Sequence, residues 1–397
     1  MKRDLLTISD FSREEILDLF EKSADLKEKR RKGIQYLPLK GKTLGMIFNK
    51  HSTRTRISFE VGMFELGGHA LFLSGDQLQL NRGETFKDSA QVLSRYLSGI
   101  LIRTYDHKEV VALAEHATIP VINGLTDFNH PLQILSDIFT IKEKLDGIEG
   151  VKVAYVGDGN NVAYSWMMGA SLMGMHLMIA CPKSCQPHPA PSLDGKGKVE
   201  IVEDPFEAVQ NADIIYTDVW ISMGEKDAVT KKQLLLPYQI NQKLVDAAKK
   251  DVLVMHCLPA HREMEITAEV MDGKHSIVFD QAENRLHVQK AILEKLLSDP
   301  QKNSCRYQMS HPDYSLWLNY PYSRRYCFHP QPLHNPGNCR HRGWLCCHNL
   351  MKYCPYSRRY CFHPQPLHNP GNCRHRGWLC CHNLMKYCPY TRRRKIH

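Results

Sequence analysis

The chain has 397 residues, 43% of them hydrophobic, enough for one or two cores of ordinary domain size without help from disulfides. Its formal net charge of +10 is unevenly placed: residues 305–397 hold 15 of the 52 lysines and arginines and one acid, Asp313, a net of +14, which leaves residues 1–304 at −4. The body therefore has no basic excess for nucleic acid. Its apolar runs, such as Val151 to Val156, are far too short to span a membrane, and Met1-Lys2-Arg3-Asp4 leads into no signal-like apolar region, so a cytoplasmic protein is expected.

Ser12-Arg13-Glu14-Glu15 stands ahead of Ile16, Leu17, Leu19, Phe20, Ala24 and Leu26, a capping box leading a helical apolar stripe. Short β-rich runs then alternate with helical patterns: Thr43 to Phe48, Ala70 to Phe72, Gly99 to Arg103 and Pro120 to Ile122. After a helical stretch near residues 135–148 come Lys152 to Val156, His176 to Ala180, Asp213 to Thr217 and Val252 to His256. Such alternation predicts an α/β protein of two doubly wound domains, 1–140 and 141–304, each a mainly parallel sheet flanked by helices. A last helix is expected over roughly Arg285 to Leu297.

From Pro321 to Cys354 the chain is copied without change as Pro355 to Cys388, and a third copy begins at Pro389. Perfect identity points to a recent duplication of DNA rather than to repeats selected for packing. Each unit carries five Cys and four His but no Cys-x-x-Cys knuckle, and Pro330, Pro332 and Pro336 would break helical repeats. Disorder is the expectation for residues 305–397. Cysteine divides the same way, with Cys181, Cys185 and Cys257 in the body and the other 11 of 14 in the tail. Three in a large body fit a reducing compartment.

Five segments carry chemistry. Ser52-Thr53-Arg54-Thr55-Arg56 follows a strand and runs into a helix, so free backbone N–H groups, hydroxyls and Arg54 form a candidate phosphate cradle. Arg103 ends a strand, and His130-Pro131-Leu132-Gln133 follows a loop, offering a second cation and a donor for a carbonyl oxygen. Gly157-Asp158-Gly159-Asn160-Asn161 is a weak dinucleotide turn, since Val162 stands where a third glycine is needed, and its two amides suit an amino acid instead. Asp218-Val219-Trp220-Ile221-Ser222-Met223-Gly224 places a carboxylate and a hydroxyl on one loop after a strand. His256-Cys257-Leu258-Pro259-Ala260-His261 sets a cysteine between two histidines, which leaves a Cys-His hydrolase and a metal site open as readings.

Taken in order, these segments resemble the carbamoyltransferase family over residues 1 to about 300. The resemblance implies that Ser52, Thr53, Arg54 and Thr55 bind the phosphate of carbamoyl phosphate, with Arg103, His130 and Gln133 completing that site in the first domain. Gln79 corresponds to a glutamine that reaches into a neighbouring subunit's site, which implies a homotrimer, or a multiple of trimers, with shared sites. Asp218 with Ser222-Met223-Gly224, and His256-Cys257-Leu258-Pro259, look like the ornithine branch; the aspartate branch reads His-Pro-Leu-Pro. On that branch Asn161, Asp218, Ser222 and Met223 hold ornithine in the second domain, Cys257 and Leu258 line the meeting point of the substrates, and Arg285 contacts the carbamoyl group. The implied catalytic set is Arg54, Arg103, His130, Cys257 and Arg285, with no metal and no cofactor. The implied reaction gives citrulline, a step of arginine biosynthesis, from two small-molecule substrates, with no membrane and no specific nucleic acid as partner. A carbamoyltransferase for another amine such as putrescine, or an inactive regulatory paralogue, are the competing readings.

Overall fold

The structure, a computed structural model, describes residues 2–79, 83–189, 195–221 and 228–298. Ser222, Met223 and the tail 305–397 lie outside the described residues. Four strands, β1 Thr43–Phe48, β2 His69–Ser74, β3 Gly99–Arg103 and β4 Val121–Leu125, form one parallel sheet in the order β2-β1-β3-β4. Five more, β5 Lys152–Val156, β6 His176–Ala180, β7 Lys198–Val202, β8 Ile214–Thr217 and β9 Leu253–His256, form a second parallel sheet in the order β7-β6-β5-β8-β9. The helices of the first half are α1 Arg13–Arg31, α2 Thr53–Glu65, α3 Phe86–Tyr96, α4 His107–His116 and α5 Pro131–Leu145. Those that follow are α6 Asn161–Met173, α7 Pro205–Val209, α8 Ala228–Leu235, α9 Gln242–Asp246, α10 Ala268–Met271 and α11 Val278–Leu297.

The apolar runs become strands because parallel sheets are covered on both faces: β3 and β4 are buried at every residue. α1 starts where its capping box places it, with Ser12 Oγ accepting the Glu15 N–H at 3.3 Å and Glu15 Oε2 accepting the Ser12 N–H at 3.0 Å. β7 is a strand that the sequence pattern does not announce. It lies at a sheet edge, half exposed, and Lys198 and Glu200 interrupt its apolar run.

α5 carries the chain from the first sheet to the second and is buried from Pro131 through Ile141. α11 packs on α5, α1 and α2, so the last helix returns to the first half. It begins at Val278, seven residues before the expected Arg285. The early turns were masked in sequence because their inward positions are polar: Gln281, Asn284 and Arg285 are all buried. Each is held by hydrogen bonds, as buried polar groups must be: Gln281 to Asp137, Asn284 to Thr140, and Arg285 to Thr55.

Candidate active site

In an open parallel sheet, ligands gather beyond the carboxyl ends of the strands where the strand order reverses. The first sheet reverses between β1 and β3, and the second between β5 and β8. Both reversals open onto one cleft of about 420 Å³. Ser52, Thr53, Arg54, Arg103, His130 and Gln133 line it from the first half. Asn161, Asp218, Cys257 and Leu258 line it from the second, and α11 adds Arg285.

The first edge is cationic. Ser52 caps α2, its Oγ accepting the Thr55 N–H at 3.2 Å, so the following turn presents its positive end to the cleft. Arg285 Nη2 donates to Thr55 Oγ1 at 2.8 Å, Arg54 Nη2 donates to the Leu258 carbonyl, and Arg103 Nη1 reaches the Gly124 carbonyl at 3.4 Å. The Nε atoms of all three arginines are buried without a partner among the described residues. Burial, then Arg285 and Arg54, press the Arg103 guanidinium down to about 9; burial and Arg54 press Arg285 down to about 10. Guanidinium groups stay charged at neutral pH, so three like charges are crowded at this end of the cleft, two of them buried.

His130 precedes α5, with Pro131 at the first helical position, and its backbone N–H donates to Ser165 Oγ at 2.8 Å. Burial, reinforced by Arg285, Arg103, Arg54 and Lys50, holds its pKa well below the usual histidine range. A neutral imidazole results, with one N–H to donate. Lys50, which sequence reasoning overlooked, also lines the cleft and pairs with Asp127 Oδ1 at 2.8 Å. Its position two residues beyond β1 was the available signal.

The second edge is acidic and neutral. Asn160 Oδ1 accepts the N–H groups of Val162 and Ala163 at 2.9 and 3.2 Å, capping α6, while its Nδ2 donates to Asp218 Oδ2 at 2.8 Å. Asn160 is thus a brace for Asp218. Asn161 lies on the cleft and donates to the Thr126 carbonyl at 2.6 Å. Cys257 donates its thiol proton to Asp218 Oδ1. Burial, then the Asp218 carboxylate, pushes that thiol well above its ordinary range, so it stays protonated and is a poor nucleophile.

Asp218, His256 and Cys257 bring three donor atoms within 4.8 Å of one another. They do not suit a metal. His256 Nδ1 accepts the Leu258 N–H at 2.8 Å and its Nε2 lies 3.1 Å from Glu265 Oε1, which commits both ring nitrogens. The Cys-His hydrolase reading fails on the same geometry, because the thiol donates to the Asp218 carboxylate while both nitrogens of the nearby His256 are engaged elsewhere. Leu258 itself takes a left-handed φ of 58°, an uncommon conformation for a branched residue and one that tends to occur at ligand sites.

Gln133 reaches the cleft from α5 and donates its Nε2 to Asp137 Oδ1 at 2.9 Å. Asp137 was not singled out in the sequence, where nothing distinguishes it from a solvated helical acid. Gln79 is exposed and does not line the cleft of its own chain.

The model of the aspartate/ornithine carbamoyltransferase carbamoyl-phosphate-binding domain matches residues 3–143, and that of the Asp/Orn-binding domain matches residues 149–296. An ornithine carbamoyltransferase of Syntrophus aciditrophicus is 57% identical over 303 residues, which cover 75% of this chain and 100% of the relative. One of Methanospirillum hungatei is 55% identical over 302 residues, again 75% of this chain and 100% of the relative. The solved ornithine carbamoyltransferase of Pyrococcus furiosus superposes with a TM-score of 0.71 at 51% identity, covering 74% of this chain and 97% of that one. The strand-end cleft and the matches along both halves agree, and the chain belongs to the aspartate/ornithine carbamoyltransferase family, whose members transfer a carbamoyl group.

Proposed function

We propose that this chain carries the carbamoyl group of carbamoyl phosphate to the δ-amine of L-ornithine, giving L-citrulline and phosphate. The observation that carries the reading is one cleft with three arginines, Arg103 and Arg285 buried and Arg54 half-buried, and a helix N-terminus on one side and Asp218 with a protonated thiol on the other. The names of the relatives favour ornithine over aspartate as acceptor.

Ser52, Thr53, Arg54 and Arg103 hold the phosphate and make it a better leaving group. The Arg285 guanidinium, the Thr55 hydroxyl and the neutral imidazole of His130 donate to the carbonyl oxygen as it gains charge in the tetrahedral intermediate. The δ-amine attacks in its neutral form, the C–N bond forms, the C–O bond to phosphate breaks, and the proton lost from the amine leaves on the departing phosphate. Because a free alkyl ammonium has a pKa near ~10.4, the site must favour deprotonation, and contact with Leu258 and Cys257 away from water does so. Asp218 takes the α-ammonium of ornithine, Asn161 a polar group at the other side, and Ser222 and Met223 are assigned to the same pocket by resemblance alone. Cys257 orients the substrate and forms no bond to it.

We also read the functional unit as a homotrimer, or a multiple of trimers, in the cytoplasm. β2 is an open sheet edge that exposes Leu71 and Phe72, beside Ile57 and Phe64 of α2, and Phe64 is 79% exposed. Exposed apolar surface around an unpaired edge supports an interface between copies. Gln79, close to the end of β2, would then serve a neighbour's cleft. No helix among the described residues is long and apolar enough to cross a membrane.

The test is citrulline formation by the purified protein with ornithine, beside aspartate and putrescine. Turnover with ornithine alone is expected. Equal or faster turnover of putrescine would favour the other-amine reading, and no turnover with any acceptor would favour an inactive paralogue.

A further inference from the structure

We propose that Gln281 is a positioning residue for the acceptor side: held by the Asp137 carboxylate, its carboxamide takes the last backbone N–H of β9 and so fixes the Cys257-Leu258 turn where the two substrates meet. The inference rests on the carbamoyl-transfer reading above and adds what holds that turn in place.

β9 is the last strand of the second sheet, so one row of its backbone groups has no neighbouring strand to bond. Leu253 turns its N–H inward to Asp213, which leaves the N–H groups of Val254 and His256 facing outward. Main chain covers the first of these. The Val254 N–H donates to the His275 carbonyl at 2.8 Å, and the Val254 carbonyl accepts the Ile277 N–H at 3.0 Å. At Val278 the chain winds into α11 and leaves the strand before it reaches His256. The His256 N–H goes to a side chain instead: Gln281 Oε1, in the opening of α11, accepts it at 2.9 Å. A backbone N–H only donates, so the Gln281 oxygen faces β9 and its nitrogen faces away. There Nε2 donates to Asp137 Oδ1 at 2.8 Å, while the Tyr216 hydroxyl donates to Asp137 Oδ2 at 2.8 Å. Gln281 and Asp137 are both buried, so water does not compete for these bonds.

His256 is thereby gripped at three points. Its backbone N–H is on Gln281, its Nδ1 accepts the Leu258 N–H, and its Nε2 lies against Glu265. The residues that follow have little freedom left. They carry the Cys257 thiol onto Asp218 and the Leu258 carbonyl onto Arg54, with Leu258 kept at its left-handed φ of 58°. The bonds to Leu258 and Glu265 stay within one stretch of chain. The tie through Gln281 instead runs to α11 and on to α5, the helices that bear Arg285 and Gln133. It therefore sets the acceptor's turn in register with the groups on the donor's side. A carboxamide suits this place because one planar head offers an acceptor to the N–H and a donor to the carboxylate.

The experiment compares the full chain with Gln281→Leu and Gln281→Glu in three readouts. These are KM for ornithine, affinity for inorganic phosphate by calorimetry, and the rate at which iodoacetamide alkylates Cys257, followed on its own peptide by mass spectrometry. Gln281→Leu removes both bonds at similar volume. It should raise the ornithine KM about tenfold, the effect of one hydrogen bond, while phosphate affinity stays within about threefold. Alkylation of Cys257 should quicken about tenfold, because a thiol released from Asp218 ionises more readily. Gln281→Glu keeps an oxygen for His256 but offers a donor to Asp137 only while the two carboxyl groups share a proton. Its KM and alkylation rate, each relative to the parent at the same pH, should therefore climb between about pH 6 and 9, while those ratios stay level for Gln281→Leu. Unchanged KM and alkylation in a Gln281→Leu protein that binds phosphate overturns the proposal, as does a loss of phosphate affinity as large as the rise in KM. If Gln281→Leu does not fold, ratios for Gln281→Glu that stay level with pH overturn it. A parent that forms no citrulline, with the alkylation contrast intact, would leave the positioning role standing and sink the ornithine reading; a parent that forms citrulline while both variants match it would do the reverse.

Discussion

The two sheets are built alike and end differently. Each is parallel, each reverses its strand order once, and each delivers its strand ends to the same cleft. Yet the first edge gathers Arg54 and Arg103, joined by Arg285, with unpartnered buried nitrogens, whereas at the second edge Asp218 accepts from Asn160, Cys257 and its neighbour Val219. Topology supplies the position, and the residues at the strand ends supply the sign of the charge. The first edge is left unsatisfied without a ligand, while the second is already internally bonded. Removing a group should therefore cost function alone at the first edge, and both function and stability at the second.

The largest expected effect is at the first edge. Arg103→Leu should lower kcat/KM for carbamoyl phosphate about 10³-fold, as loss of a charge stabiliser does, while the urea midpoint stays level or rises because a buried repelled charge has gone. A clear fall in that midpoint would show Arg103 to be a structural residue and break the contrast. Next, Asp218→Asn should raise KM for ornithine by about 10²-fold and destabilise by about 1 kcal/mol, since one of its donors loses an acceptor. A stability equal to the parent's would mean that the second edge is not internally bonded as described.

Smaller effects sharpen the same picture. Cys257→Ser should retain activity within about tenfold, and iodoacetamide should label Cys257 slowly at neutral pH, because burial and Asp218 keep the thiol protonated. Fast labelling, or a trapped carbamoyl thioester, would contradict the orienting role. Away from the cleft, buried His287 of α11 has its pKa lowered to about 4, chiefly by burial and then by Lys290. In the unfolded chain it takes up a proton near ~6.5, so acidification stabilises the unfolded state first and folding stability falls from pH 6.5 toward 4. His287→Gln should flatten that part of the stability curve; an unchanged slope would remove His287 as its source. Least of all, a chain ended at Ser304 should turn over ornithine as the full chain does, since the Syntrophus relative is matched over 100% of its length by 303 residues of this one.

Much of this was legible in the sequence where the signal was local. The apolar runs of β1, β3, β5 and β6 stood out, as did the hydroxyl and arginine cluster opening α2, because Ser52-Thr53-Arg54-Thr55 gathers hydroxyls and a cation at a helix N-terminus just after a strand. What escaped depends on residues that meet from distant parts of the chain. Cys257 between two histidines looked like a hydrolase or metal motif, yet its partner is Asp218, 39 residues earlier. The mutual pressure among Arg54, Arg103 and Arg285 needs three elements brought together. Asp137 reads as an ordinary helical acid until α5, β8 and α11 close around it.

The contrast between the two edges is tested most directly by the urea midpoint as a function of inorganic phosphate in the parent chain, Arg103→Leu and Asp218→Asn. A ligand that binds only the folded state raises the midpoint with the logarithm of its concentration. The account predicts such a rise for the parent and for Asp218→Asn, and a flat line for Arg103→Leu at or above the ligand-free parent. A rise of equal slope in Arg103→Leu, or its loss in Asp218→Asn, would show that the two edges do not divide the substrates between them.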